Sequence, residues 1–400
     1  SRRNAIKKTA AGLTSLMIAP QFLRAAEAVK PFGEDYANLE TLTTGEWWKR
    51  PGNLMTPLKN GRKAGPPNLN IPRNQVVVFA LYTQQHEVLK LTAQLFPLKP
   101  GEPRQVRLEL KFPKEDWKEV AQAEVLYPGW DAHFRIEEWD DSVDVKYRVR
   151  HGEGAKFEGL IRKDPRNKEE IVVANLSCNS SRTTGPRKEI VDNLRKLNPD
   201  LLFFGGDQTY RHTEHTAGWI EFGLQYRDII RDRPTVAIPD DHDVGHPNVW
   251  GENGKHSSIP GNADGGYKFP VDYVNLVQRQ QTWSLPDPVD PAPVNRNIGV
   301  YFTRLTVGKV DFAILEDRKF KTGPAGKIPQ MGPRPDHIND PSYDPRKIDL
   351  EGLELLGPRQ EKFLEEWTED WTDSDMKCVL SQTAFCGAVH THGSRNSRLL

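Results

Sequence analysis

Cysteine is scarce: Cys178, Cys378 and Cys386 are the three in 400 residues. A chain of this size without a disulfide framework folds on hydrophobic cores, and an odd count leaves at least one thiol unpaired or given to other work. Cys378 and Cys386 could pair, though nothing in their spacing requires it. No apolar run reaches the roughly 18 residues of a membrane-spanning helix. Neither sign of charge dominates, with Lys+Arg 55 against Asp+Glu 55, so binding of nucleic acid by bulk electrostatics is not implied. The absence of internal repeats and low-complexity tracts argues against solenoids and propellers. With no Gly-x-Ser-x-Gly elbow and no P-loop, serine hydrolase and NTPase chemistry fall away. What is plentiful is loop, signalled by Gly 31 and Pro 31, in a chain long enough for two or three domains.

Residues 1–28 are set apart from the fold. Ser1-Arg2-Arg3-Asn4-Ala5-Ile6-Lys7-Lys8 is a basic stretch, a mildly apolar small-residue run follows, and Ala26-Glu27-Ala28 offers a cleavage site. The order resembles a twin-arginine export signal, with Ala5 where Phe is usual. It implies the twin-arginine machinery as a partner and a periplasmic or extracellular location. The alternative is a basic amphipathic helix. Without these residues the chain is slightly acidic.

Residues 29–73 are Pro/Gly/Trp-rich and read as an irregular covering segment. Residues 74–163 read as strands, over 75–82, 88–95, 106–112, 133–136 and 143–149. Turn residues separate several of them, in the manner of a small β-sandwich of immunoglobulin-like or fibronectin-like type. Around 162–170 the chain becomes fully polar, the best candidate for a domain boundary. From residue 168 to 400 strands and helices alternate, an α/β (α+β) pattern with helices on both faces of β-sheets. Strands are expected over 171–175, 201–204, 235–238, 310–315 and 377–380. Helices are expected over 187–197, with Ile190, Val191, Leu194 and Leu197 on one face, and over 217–231 and 359–371.

In such sheets ligands bind beyond the carboxyl ends of the strands. Four successive strand ends carry ligand-type side chains: Ser177-Cys178-Asn179, Gly205-Gly206-Asp207 through Tyr210, Asp240-Asp241-His242-Asp243, and Glu316-Asp317-Arg318. The two glycines let Asp207 stand clear of a tight turn. Carboxylate and phenolate are hard oxygen donors suited to Fe³⁺, Cys178 would add a thiolate, Asp241 a further oxygen, and His242 a proton donor. Taken singly, each has a plainer explanation. Cys178 could be a core thiol, Asp207 a turn cap, Tyr210 an interface ring, and 240–243 a solvated turn. Their conjunction on successive strand ends points to a metal centre that activates water at a phosphoryl group. His212, His215, His246 and His256 are read as loop residues.

Gly-Asp-x-x-Tyr followed by Asp-Asp-His-Asp resembles the PhoD-like branch of the calcineurin-like metallophosphatase superfamily, over most of residues 75–400. The resemblance implies an exported alkaline phosphatase/phosphodiesterase that hydrolyses phosphate mono- or diesters with metal-activated hydroxide. It implies a metallophosphatase domain preceded by a β-sandwich. Cys178, Asp207 and Tyr210 would bind Fe³⁺. Asp207 would bridge to Ca²⁺, or to Zn²⁺, Mn²⁺ or Mg²⁺, with Asp241 and Asn248 completing that shell. His242 and Asp207 would be catalytic, and Arg318 with His242 would bind substrate, although Arg318 could instead pair with Glu316 or Asp317. The superfamily's closing Gly-His-x-His element is missing. His390-Thr-His392 stands in its region, read as a loop lining the site, and the domain is expected to continue past Leu400. The rival readings are a purple acid phosphatase-like monoesterase and a non-catalytic exported binding protein with a vestigial site. Cys178 and Asp241 stand where purple acid phosphatases use Asp and Asn.

Overall fold

The computed structural model describes residues 30–50, 68–180, 186–245, 251–258, 264–328, 337–338, 342, 344–348, 350–383 and 398–399. The expected export signal, His246, Asn248, Cys386, His390 and His392 lie outside the described residues.

Seven antiparallel strands come first: β1 (Val77–Gln85), β2 (Val88–Leu95), β3 (Gln105–Lys111), β4 (Lys118–Glu124), β5 (Asp131–Ile136), β6 (Val145–His151) and β7 (Ala155–Ile161). They form a sheet of order β1-β2-β5 and another of order β4-β3-β6-β7. The β1–β2 turn is two residues, His86 and Glu87, both at positive φ (46° and 60°), the backbone that a tight hairpin of right-handed twist demands. β1 is buried along almost its whole length because it is covered on both sides. Tyr82 meets Tyr147 of the second sheet, while Phe79 meets Trp219 of a helix in the second half of the chain. Its sequence is therefore a continuous apolar run rather than an alternation. Two of these seven strands escape the sequence reading. β4 is a charged, largely exposed edge with no apolar face to signal it. In β7 the inward position Gly159 carries no side chain, because a Cβ there would meet Arg231 O at 2.1 Å and the Tyr147 ring at 2.6 Å.

The second half contains β8 (Val173–Leu176), α1 (Lys188–Leu197), β9 (Leu201–Phe204), α2 (His215–Ile230), β10 (Thr235–Ala237), α3 (Val271–Thr282), β11 (Thr303–Val307), β12 (Val310–Ile314), α4 (Asp317–Phe320), β13 (His337–Ile338), α5 (Gly357–Glu369), β14 (Met376–Leu380) and β15 (Arg398–Leu399). β10-β9-β8 is a parallel sheet; β11-β12-β14 is a second sheet, with β12 and β14 parallel. The two pack face to face. Leu201 and Phe203 of β9 share a core with Phe312 and Ile314 of β12, while Leu202 and Phe204 turn the other way toward α1, α2 and the antiparallel sheets. Ala313 and Leu315 face a third core that holds α3 and α5 residues. The layers are thus helix, sheet, sheet, helix, the period-two alternation of each strand feeding two cores.

Three expectations need correction. The strand over 310–315 lies in the second sheet, so only three of the four strand ends are neighbours within one sheet. On α1, Val191 and Leu194 are buried, but Ile190 and Leu197 are exposed, because the helix packs along a narrower stripe than its apolar sequence suggests. His215 is not in a loop: it opens α2 and is fully buried. α3 is an addition; its buried face includes Gln280 and Gln281, which break the apolar period that would reveal it.

Candidate metal centre

Register brings the candidate residues together. Leu176, Phe204 and Ala237 end β8, β9 and β10 side by side, so residues 177–179, 205–210 and 239–243 emerge along one edge. The loops are then tied crosswise by backbone: the amides of Cys178 and Asn179 donate to the carbonyls of Gly206 and Asp207, at 3.1 and 2.8 Å. Cys178 and Asp207 both adopt left-handed backbone (φ 56° and 57°), strain that a structure retains where side chains must be aimed. Gly206, at φ 102°, lets the neighbouring turn pass: a Cβ there would lie 2.3 Å from Asp240 Cβ.

Asp243 is the fastener. Its Oδ2 accepts the amides of Asp207 (2.8 Å) and Asp240 (3.0 Å), and its Oδ1 that of Thr209 (3.0 Å). Sequence reasoning included Asp243 only as part of a motif, since a carboxylate that binds its own backbone has no signature apart from position. Gln208 Nε2 donates to Ile238 O at 2.9 Å, and Gln382, just past β14, donates to Pro239 O at 2.8 Å.

The two oxygens of Asp207 face different groups. Oδ2 accepts from Tyr210 OH at 2.8 Å and from the Cys178 thiol at 3.7 Å. Oδ1 accepts the His242 amide at 3.2 Å, and that amide also reaches Asp241 Oδ1 at 2.9 Å. Ligand atoms of Asp207, Asp241 and His242 lie within 4.8 Å of one another, which sets the His242 ring beside the carboxylates, as its expected role of proton donor requires. Cys178 is exposed, which removes the core-thiol explanation. Arg318 pairs with Asp240, Nε to Oδ1 at 2.5 Å. Glu316 instead meets Lys319 at 2.6 Å in a buried pair. The sequence reading also placed no role on His212, whose Nε2 lies 2.6 Å from His242 Nδ1 with the rings 4.8 Å apart. Nothing in the spacing of the two histidines could announce that contact.

The electrostatics describe carboxyl groups crowded together. Burial, then the carboxylates of Asp240, Asp243 and Asp241, push Asp207 up to about 9. Burial first, then its neighbours, pushes Asp243 up to about 7 and Asp240 to about 6, the latter despite Arg318. Burial and the adjacent Asp207 carboxyl raise the Tyr210 phenol, and partial desolvation of its sulfur raises the Cys178 thiol. Arg318 is held charged well above its usual range by Asp240, Asp241 and Asp317 against the cost of burial. Among the described residues Arg318 is the guanidinium set against these buried acids, which leaves room for multivalent cations, and thiolate, phenolate and carboxylate are donors for transition ions and hard divalent ions. The donor set fits a metal.

No family model and no curated protein matches the sequence. Among solved structures the chain is similar to PhoD, with a TM-score of 0.59 and 15% identity, over 82% of this chain and 65% of that one. The chain thus spans less than two thirds of that protein's length. A purple acid phosphatase from yellow lupin (Lupinus luteus) seeds gives a TM-score of 0.40 and 13% identity, over 60% of this chain and 44% of that one. The likeness to PhoD shows the fold, and it is the fold that the sequence motifs imply.

Proposed function

We propose that the chain is an exported, metal-dependent phosphoric ester hydrolase, an alkaline phosphatase/phosphodiesterase acting on phosphate mono- or diesters. The observation that carries the reading is Asp207, one carboxylate facing Cys178 and Tyr210 with one oxygen and the Asp241–His242 turn with the other. In this reading Cys178, Tyr210 and Asp207 hold Fe³⁺. Asp207, Asp241 and Asn248 hold Ca²⁺ or another divalent ion such as Zn²⁺, Mn²⁺ or Mg²⁺. When bound, the ions polarise the phosphoryl group and lower the pKa of water.

The protein's own groups do the rest. Asp207 is favoured in its deprotonated form once bound cations offset its repulsion with the carboxylates of Asp240, Asp243 and Asp241. Asp243 holds the two loops so that the carboxylates converge. His242 keeps a proton for the leaving oxygen; with Nδ1 engaged by His212, Nε2 is the nitrogen assigned to carry it. Arg318, fixed by Asp240, orients the anionic phosphate. The two antiparallel sheets are read as the immunoglobulin-like sandwich, and the basic Arg2-Arg3 stretch as the twin-arginine signal to the periplasm or exterior.

The test uses the complete gene product made in an exporting host. Elemental analysis and hydrolysis of p-nitrophenyl phosphate and bis(p-nitrophenyl) phosphate are compared with Asp207→Ala. Joint loss of metal and turnover in the variant is expected; unchanged turnover would remove the assignment. His242→Ala should lower kcat by roughly 10²–10⁴-fold while metal content changes far less.

A further inference from the structure

The segment over residues 30–50 makes contacts that nothing in the proposed chemistry requires. Glu40 is fully buried and sits at positive φ (56°), although it is not a glycine. Its amide donates to Thr213 O at 2.7 Å. Its carboxylate accepts the Thr216 amide, at 3.0 Å to Oε1 and 3.3 Å to Oε2, and the Thr43 hydroxyl at 2.9 Å. Thr216 is in the first turn of α2, whose own N-cap, Glu214, makes no capping bond with its side chain. Glu40 therefore caps α2 from a distant part of the chain, where a carboxylate is favoured by the exposed amides and the helix dipole.

Glu214 is instead turned back on the segment. Its Oε1 accepts Thr41 Oγ1 at 2.6 Å and its Oε2 the Leu42 amide at 2.8 Å. The short loop 211–214 is thus gripped from both sides, Glu40 holding Thr213 and Thr216 while Thr41 and Leu42 hold Glu214. Tyr273 of α3 adds a bond from its hydroxyl to His212 O at 3.1 Å. His212 stands in this gripped loop and meets His242 at 2.6 Å. The far loop presses against it: Gly245, at φ 99°, would place a Cβ 2.4 Å from His212 O. A loop fixed at His212, Thr213, Glu214 and Thr216 can hold an imidazole still.

We propose that Glu40 and Glu214 are positioning residues for His242, locking the 211–216 loop so that His212 fixes the orientation of the His242 ring. The inference rests on the reading of His242 as proton donor, and it makes the covering segment part of the working enzyme. It acts on orientation and leaves the metal ligands alone, so kcat and metal content should separate.

The experiment uses the full-length protein and the variants Glu40→Ala, Glu40→Gln, His212→Ala and Glu40→Ala/His212→Ala. It measures metal content, kcat and KM with bis(p-nitrophenyl) phosphate, and the ring ¹⁵N resonances of His242. Glu40→Ala should cost roughly 10–100-fold in kcat, the scale for a misplaced catalytic group, with KM and metal content retained. Glu40→Gln still offers the Thr216 amide an oxygen and should rescue most of the loss. The double variant should be no worse than His212→Ala alone, and the His242 resonances should shift in Glu40→Ala but not in Glu40→Gln. Losses that multiply in the double variant, a kcat loss matched by metal loss, or His242 resonances unmoved by Glu40→Ala would each overturn the proposal. If Glu40→Ala does not fold, Glu214→Ala cuts the same grip at Thr41 and Leu42 and is held to the same ring shift. If no phosphate ester is hydrolysed at all, the proposed function fails, while the ring resonances still decide the positioning.

Discussion

Replacing Asp243 tests whether the site is held by the fastener that the geometry describes. Three backbone amides converge on this one carboxylate, two on Oδ2 and one on Oδ1. Asp207 and Thr209 are buried and Asp240 is half-buried, so Asp243→Ala strands two buried N–H groups outright. At about 1–3 kcal/mol for each unsatisfied buried group, the loss should be about 2–6 kcal/mol before any contribution from Asp240. That is a large part of the roughly 5–15 kcal/mol that ordinarily separates folded from unfolded chains. Asp243→Asn keeps one carbonyl oxygen, which in the Oδ2 position still serves Asp207 and Asp240, so it should lose only the Thr209 bond, about 1–3 kcal/mol. Urea unfolding in the presence of a chelator measures this without the stabilisation that bound metal adds. Metal titration of the folded variants should show weaker binding in the same order. A stability of Asp243→Ala within about 0.5 kcal/mol of wild type, the range of a neutral surface change, would refute the reasoning.

Glu40 carries a pH signature, since burial and then the Glu214 carboxylate raise it from 4.5 to about 7, against the bonds from Thr216 and Thr43. The folded state then holds the proton more tightly than the unfolded one, so stability is fully present below pH 4.5 and falls as pH rises toward 7, by about 3 kcal/mol. Glu40→Gln should lack that slope in unfolding midpoints measured across the window; parallel curves would contradict the assignment. Gly206→Ala puts a Cβ against Asp240 at a φ of 102° and should lower both stability and metal content, whereas Gly33→Ala, also at positive φ but with nothing within 4 Å, should change stability alone. With Fe³⁺ bound the protein should be coloured by phenolate-to-metal charge transfer, and Tyr210→Phe should bleach the visible band; a colourless wild type containing iron would remove Tyr210 from the ligand set.

The ends of β9 and β10 were legible in the sequence because these buried strands are apolar and stop abruptly at Gly205 and Pro239. β9 is Leu201–Phe204 in sequence and structure alike, and Gly205-Gly206-Asp207 follows it at once. Cys178, Asp207, Tyr210, Asp241 and His242 could be gathered from the sequence as residues that follow strands. Elements whose buried faces are polar or empty could not be read. α3 buries Gln280 and Gln281 beside its apolar residues, β7 turns Gly159 inward, and β4 has little face to bury. The split into two sheets was equally hidden, because register is set by pairing partners far apart in the chain. The supporting residues of the site escaped for the same reason. Asp243, His212 and Glu40 act on backbone amides or on another side chain brought close by folding, and such contacts leave no spacing in the sequence.

The central claim is that Asp207 gathers metals for phosphate ester hydrolysis. The most direct measurement is turnover of bis(p-nitrophenyl) phosphate by the complete gene product at alkaline pH, before chelation, after chelation, and after return of Fe³⁺ with Ca²⁺, with Asp207→Ala carried through the same cycle. Activity that disappears on chelation, returns with the ions in the wild type, and never appears in Asp207→Ala is the predicted result. Turnover that survives chelation, or that Asp207→Ala retains, would contradict the account.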